Sequence, residues 1–194
     1  MMEFNDKRVY TLYAGANGAG KSTIYKIMNP NTQDKWVNSD EILISNGGNW
    51  KNEKDQWKAM KEAAVKIKRY IKEGISFNQE TTLAGRTNVR TILTAKEQGF
   101  LIRLYYVGLS DADLAVKRVR QRVENGGHGI EESLIRKRYD ISLFNLKNIL
   151  PLCDLAVIYD NTEEFRKIAK YEEGRWIYYE SNCNWFNKSI RCLD

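Results

Sequence analysis

The sequence predicts an α/β fold: a five-stranded parallel sheet between two layers of helices, with a C-terminal β-hairpin. Three observations predict it. Short β-branched and aromatic runs alternate with longer runs that carry apolar residues at helical spacing. The first short run opens into a glycine-rich loop followed at once by a helix. Polar residues then gather just beyond the short runs, where ligands sit on a parallel sheet.

The elements follow in order. Arg8 to Ala14 reads as a strand, and the loop Gly15 to Ser22 follows it. Ser22 to Met28 reads as a helix, closed before Pro30. Trp36-Val37-Asn38 is a short second strand, and Ser39 or Asp40 is expected to cap a helix beginning near Glu41. A long amphipathic helix comes next, with Trp57, Met60, Ala64, Ile67 and Ile71 as its apolar stripe and Gly74 as its stop. Ile75 to Gln79 is the third strand and runs into Glu80-Thr81-Thr82. Helix resumes from Asn88 to Gln98, and Phe100 to Val107 is the clearest strand of the chain. A basic helical stretch follows, interrupted by Gly126-Gly127-His128-Gly129 and continued by a helix from Glu131 to Ile149. Asp154 to Tyr159 is the fifth strand, and Tyr171 to Tyr179 is a hairpin around Glu173-Gly174.

With 194 residues, 42% of them hydrophobic, the chain suits one domain with a real core. Residues 1–194 are read as that domain, with a lid near 110–140 and a tail from 161 to 194. The first residues, Met1 to Lys7, lack the apolar centre of a signal peptide. No apolar run approaches the roughly 20 residues that a membrane span needs. Three cysteines without metal-ligand spacing (Cys153, Cys183, Cys192) fit reduced thiols in a cytoplasm, a Cys183–Cys192 bridge being the other reading. The net charge is +6 and the basic residues are densest between Lys117 and Lys137. Such an excess can serve nucleic acid or the phosphates of a small ligand.

The loop Gly15-Ala16-Asn17-Gly18-Ala19-Gly20-Lys21-Ser22 matches G-x-x-x-x-G-K-[ST] in full, and Thr23 follows it. Its glycines permit turns that side chains would block. Its amides and those of the next helix form an anion cradle. Lys21 can reach the β- and γ-phosphates of ATP, and the Ser22 hydroxyl can ligate Mg²⁺. No Asn-Lys-x-Asp motif reads guanine, and no Leu-Ser-Gly-Gly signature marks a transport ATPase. Asp160 ends an apolar strand in the manner of a Walker B carboxylate, but in the last parallel strand. It is therefore read as a strand-end residue.

Phosphoryl transfer to a hydroxyl needs a carboxylate for the acceptor and positive charge around the migrating group. Asp40, beyond the second strand, is the candidate base, and its alternative role is a helix cap. Glu80, ending a strand expected beside the P-loop strand, can orient metal-bound water or the acceptor. Thr81, Thr82 and Arg86 offer polar contacts to an anionic substrate. Arg118 and Arg122 are four apart on one helix face, before a glycine hinge and Arg136-Lys137-Arg138. These arginines can close over the γ-phosphate, the alternative being a solvated basic face. His128, the single histidine, can touch phosphate or substrate from the hinge, the alternative being a capping or packing role.

Together these elements resemble the zeta toxin family, and most closely its small stand-alone P-loop kinases. The resemblance rests on Ala14 to Thr23, Val37-Asn38-Ser39-Asp40, Glu80-Thr81-Thr82, Arg122, Gly126-Gly127-His128, Ile135 to Tyr139, Ser142-Leu143 and Asn145-Leu146. It covers about residues 8 to 160. It implies an adenylate-kinase-like P-loop fold and phosphorylation of a hydroxyl on the amino sugar of UDP-N-acetylglucosamine, with ATP and Mg²⁺. It further implies Asp40 as acceptor base, Lys21 and Ser22 on phosphates and metal, and Glu80 and Thr82 at the acceptor. Arg122 and Arg138 match the lid arginines, with Arg118 and Arg136 as rivals. The family's partner is a small helical antitoxin. Larger toxins carry additional helices, whereas this fold is expected to end near Asp160 before a Trp/Tyr-rich tail. The alternatives are a nucleoside, nucleotide or polynucleotide kinase, or a toxin–antitoxin or nucleic-acid-associated module with a regulatory ATP site.

Overall fold

The computed structural model describes residues 7–29, 35–85, 87–180 and 182–189. Its strands are β1 (Val9–Ala14), β2 (Trp36–Val37), β3 (Phe77–Thr81), β4 (Leu101–Gly108), β5 (Leu155–Asp160), β6 (Arg166–Glu172) and β7 (Arg175–Tyr178). Its helices are α1 (Lys21–Met28), α2 (Ser39–Ser45), α3 (Glu53–Glu73), α4 (Asn88–Glu97), α5 (Ala112–Glu124), α6 (Glu132–Ile149) and α7 (Asn184–Ser189). One sheet runs in the order β2-β3-β1-β4-β5-β6-β7. The five expected strands are parallel, while β6 and β7 join antiparallel at the β5 edge.

Alternation along β1 and β4 makes the layers. Tyr10, Leu12 and Ala14 pack with Ile102, Leu104 and Tyr106 against apolar residues of α3 and α4. Tyr13, Tyr105 and Val107 face the other way, among Ile24 of α1 and Ala115, Val116 and Val119 of α5. Strands buried on both faces read as continuous apolar runs, which is why β4 was the clearest of them.

The expected stripe on α3 is displaced. Ala59, Ala63, Ile67, Tyr70 and Ile71 are buried, whereas Trp57, Met60 and Ala64 are exposed. The small side chains at 59 and 63 let the helix approach the sheet, which turns Met60 and Ala64 toward a cleft instead. The cap of α2 also differs: Asn38 fills it, its Oδ1 accepting from the Asp40 amide at 2.9 Å. A side chain one residue before the helix reaches back to its first turn, as the N-cap position requires.

The fold does not end near Asp160. Glu173 and Gly174 both have positive φ (51° and 78°), the pairing that a two-residue hairpin of right-handed twist demands. The hairpin therefore closes as expected, but β6 begins at Arg166 and extends the sheet. Buried Asp160 accepts from Arg166 Nε (3.0 Å) and Nη2 (2.9 Å), Thr162 Oγ1 (2.6 Å) and Trp185 Nε1 (2.9 Å). Trp185 lies over Gly108, where a Cβ would stand 2.0 Å from the indole. The described part of the Trp/Tyr-rich tail is thus packed into the core through Trp185 and Phe186 and docked by a buried carboxylate.

Among the described residues no helix is long and apolar enough to cross a membrane. Cys153 and Cys183 are buried free thiols, the latter pushed up to about 11 by burial. Pro30, Arg86 and Cys192, and with Cys192 the alternative disulfide, lie outside the described residues.

Candidate active site

The phosphate loop is built by backbone conformation. Gly15 has φ 138°, and a Cβ there would sit 2.1 Å from the Val107 carbonyl oxygen of β4. Only glycine lets the loop leave β1 so close to its neighbour. Gly20 caps α1 at φ 99° with no side-chain cap, so no side chain covers the first amides of the helix. Ala16 and Ala19 are buried beneath the loop, Asn17 is buried with its Oδ1 unpartnered, and Thr23 is exposed on the first turn. Lys21 Nζ donates to the Ala16 carbonyl at 3.0 Å and lies 3.6 Å from Glu80.

Strand register brings the carboxylates to this loop. Tyr13 of β1 pairs with Glu80 of β3, so Glu80 ends its strand beside the loop's entry. Its Oε2 accepts from Ser22 Oγ at 2.6 Å and from Asn38 Nδ2 at 3.1 Å. That places Glu80 next to the metal-ligand candidate and not simply at the acceptor. Ser22 Oγ and the adjacent carboxylate are hard oxygen donors that fit Mg²⁺, which takes few protein ligands beside substrate phosphates. Among the described residues no group of three or more His, Cys, Asp or Glu side chains gathers as an all-protein metal cage.

Because Asn38 does the capping, the Asp40 carboxylate is left to the cleft. It lines a cavity of about 620 Å³ together with Lys21, Glu80, Thr81, Thr82, Arg122, His128 and Arg138. Its Oδ2 lies 2.8 Å from His128 Nε2. Burial pushes the Asp40 carboxyl up, but the His128 hydrogen bond and the charges of His128, Lys21 and Arg122 outweigh it, holding it below the usual carboxylate range.

The arginines separate by orientation. Arg122 carries two buried nitrogens, Nε and Nη2, with no partner. Burial pulls its pKa down against the opposing charges of Asp40 and Glu80. Arg138 is likewise pulled down by burial against the charge of Asp40. Buried guanidinium nitrogens without a partner beside a phosphate loop suit an anionic group. The rivals go elsewhere: Arg136 pairs with Asp113 at 2.5 Å on the surface, and Arg118 donates to the Thr162 carbonyl at 3.1 Å. Arg118 still lies against the phosphate loop, its Cβ 3.2 Å from where a Gly18 Cβ would stand.

The turn after β3 is held under strain. Leu83 is fully buried at φ 57°, and Asn145 Nδ2 donates to its carbonyl at 2.6 Å. Thr81 Oγ1 accepts from the Leu83 amide at 3.0 Å, and Thr82 Oγ1 from the Ala84 amide at 3.4 Å. Such strain persists only where neighbours over-determine it, commonly at sites. Sequence reading missed three contributors: Asn38, Asn88 (buried in the cleft, Nδ2 unpartnered) and Asn161, whose Nδ2 clamps the Ala19 carbonyl at 2.9 Å. Asparagine after a strand was a signal of the same kind as Asp40, and it went unused.

No protein-family model matches the chain. A protein of Haemophilus influenzae, described as uncharacterized, is 33% identical over 127 residues, which cover 66% of this chain and 89% of that protein. The chain belongs to the family of that protein. Among solved structures, this chain is similar to AvrRxo1-ORF1:AvrRxo1-ORF2 crystallised with ATP (TM-score 0.71, 15% identity, 97% of this chain). It spans 65% of the length of that chain. It is also similar to a structure of the PezAT chromosomal toxin–antitoxin system of Streptococcus pneumoniae (TM-score 0.66, 16% identity, 96% of this chain and 79% of that one). A third likeness is to the Pnkp1/Rnl/Hen1 RNA repair complex (TM-score 0.57, 20% identity, 76% of this chain and 48% of that one). The likeness to these structures shows the fold, an α/β sheet with a phosphate loop after its first strand, as the motif resemblance implied.

Proposed function

We propose that this chain is an ATP-dependent kinase of zeta-toxin type, transferring the γ-phosphoryl group of ATP to a hydroxyl of a small molecule. One observation carries the reading. Asp40, free of capping duty, faces Lys21, Arg122 and Arg138 across one cleft in which two buried Arg122 nitrogens lack partners.

In this mechanism the acceptor hydroxyl gives its proton to Asp40. Its oxygen forms a bond to the γ-phosphorus while the bond to the β–γ bridging oxygen breaks, and ADP leaves. The amides of the loop and Lys21 hold the β- and γ-phosphates. Arg122 and Arg138 neutralise charge as it spreads over the migrating group. Mg²⁺, when bound, supplies further neutralisation of the phosphates; Ser22 would hold it and Glu80 would orient Ser22. Arg118 lies on the nucleotide side of the loop. Thr81 and Thr82 form the acceptor wall.

The acceptor we propose is UDP-N-acetylglucosamine, on the zeta-toxin motif resemblance, with a cytoplasmic setting and a small antidote protein as partner. The test is incubation with ATP, Mg²⁺ and a panel of sugar nucleotides, nucleosides and short 5′-hydroxyl RNA, read by mass spectrometry. Phosphorylated UDP-N-acetylglucosamine with matching ADP supports the reading in full. Phosphorylation of nucleosides or RNA alone removes the sugar nucleotide and leaves the kinase. No phosphorylated product, together with DNA binding of steep salt dependence, removes the kinase.

A further inference from the structure

We propose that His128 is a positioning residue of this site: it fixes the Asp40 carboxylate through Oδ2 and ties it to the loop joining the two arginine-bearing helices. The inference rests on the kinase reading of the cleft and deepens it, since His128 bonds the proposed base. His128 Nε2 and Asp40 Oδ2 are 2.8 Å apart although the residues are 88 positions apart in sequence. Nε2 donates to the carboxylate in the Nε2–H tautomer and in the protonated ring alike. Among the described residues nothing bonds Oδ1, which is left for an acceptor hydroxyl.

The loop that carries His128 is packed, not slack. The Gly127 amide donates to the Arg122 carbonyl at 2.8 Å, and a Cβ at Gly127 would stand 2.7 Å from Arg122 Cγ. A Cβ at Gly129 would stand 2.8 Å from Val123 and 2.9 Å from the Trp50 ring. The backbone on both sides of His128 is therefore seated against α5 and against the α2–α3 connection. The positions of Arg122 and His128 are thus tied through the loop backbone, and the Asp40 carboxylate is bonded to His128.

Charge alone does not require a histidine here. Lys21 from α1, Arg122 from α5 and Arg138 from α6 already bring positive charge to Asp40, with Glu80 of β3 opposing them at Lys21 and Arg122. What His128 adds is a directional bond that holds the carboxylate plane. Removing it should also let the Asp40 carboxyl rise, because that bond is one of the influences that hold it low.

The test has two arms on the full chain. In the first, the Hε1 resonance of the single histidine is compared at neutral pH between wild type and Asp40→Asn; it should move well beyond its linewidth. An unmoved resonance overturns the inference whatever the enzyme does. In the second, with ATP and UDP-N-acetylglucosamine, His128→Ala should lower kcat about tenfold or more while the KM for ATP stays within about twofold. Its acid limb should shift to higher pH. His128→Gln, which keeps a donor near the Nε2 position, should recover most of both. In the Asp40→Asn background His128→Ala should cost nothing further. A full additional loss there, or no recovery with glutamine, overturns positioning through Asp40. Absent wild-type turnover with any acceptor is a different failure: it removes the kinase reading, and the resonance then decides the contact.

Discussion

Asp40 and Asp160 both stand at the carboxyl side of one parallel sheet, and they do opposite things. Asp160 is buried and saturated, its two oxygens taken up by Arg166, Thr162 and Trp185. Asp40 keeps 43% of its side chain exposed, accepts one side-chain hydrogen bond and faces three cations that do not bond it. A carboxylate whose lone pairs are filled holds structure; one left under-coordinated among cations can accept a proton. Position at a strand end is therefore not the mark of a catalytic acid. What decides is whether the surroundings complete it.

That contrast can be broken or sharpened experimentally. The largest effect expected is for Lys21→Ala, which should abolish ATP turnover with unchanged circular dichroism, because it removes the charge of the phosphate cradle while Lys21 belongs to neither apolar cluster. Asp40→Asn should follow, lowering transfer by about 10²- to 10⁴-fold while ATP binding by calorimetry is kept. Arg122→Ala and Arg138→Ala should each cost up to about 10³-fold in kcat. Losses under about threefold for both would return these arginines to a solvated face. The smallest effect on turnover belongs to Asp160→Asn, with kcat per folded molecule unchanged. Its cost is in stability, about 2–3 kcal/mol from the severed Arg166 pair and the indole bond. By thermal melting that is a fall of about 2–4 °C per kcal/mol for a chain of this size. Equal stability losses for Asp40→Asn and Asp160→Asn would erase the distinction drawn between them.

Much of this was legible before any coordinates, for local reasons. The loop from Gly15 to Ser22 declares itself because its glycines, lysine and serine are contiguous and a strand must precede them. Asp40 and Glu80 were found because strand ends converge on one edge of a parallel sheet. The arginines were only half legible. Spacing put Arg118 with Arg122 and set Arg136 against Arg138. Which one turns inward depends on Asp113 and Thr162, partners that no local pattern reveals. The α3 stripe was misread by one position because alanines at 59 and 63 carry little hydrophobic signal yet permit the closest packing. The His128–Asp40 contact and the docking of Trp185 over Gly108 are tertiary, and periodicity has nothing to say about either.

The most direct measurement is the rate at which Asp40→Asn and wild type form phosphorylated product from ATP across the acceptor panel, with ATP affinity measured in parallel. The account predicts product from wild type, loss of about 10²-fold or more in the variant, and ATP affinity within about twofold. Transfer by Asp40→Asn at the wild-type rate would contradict it.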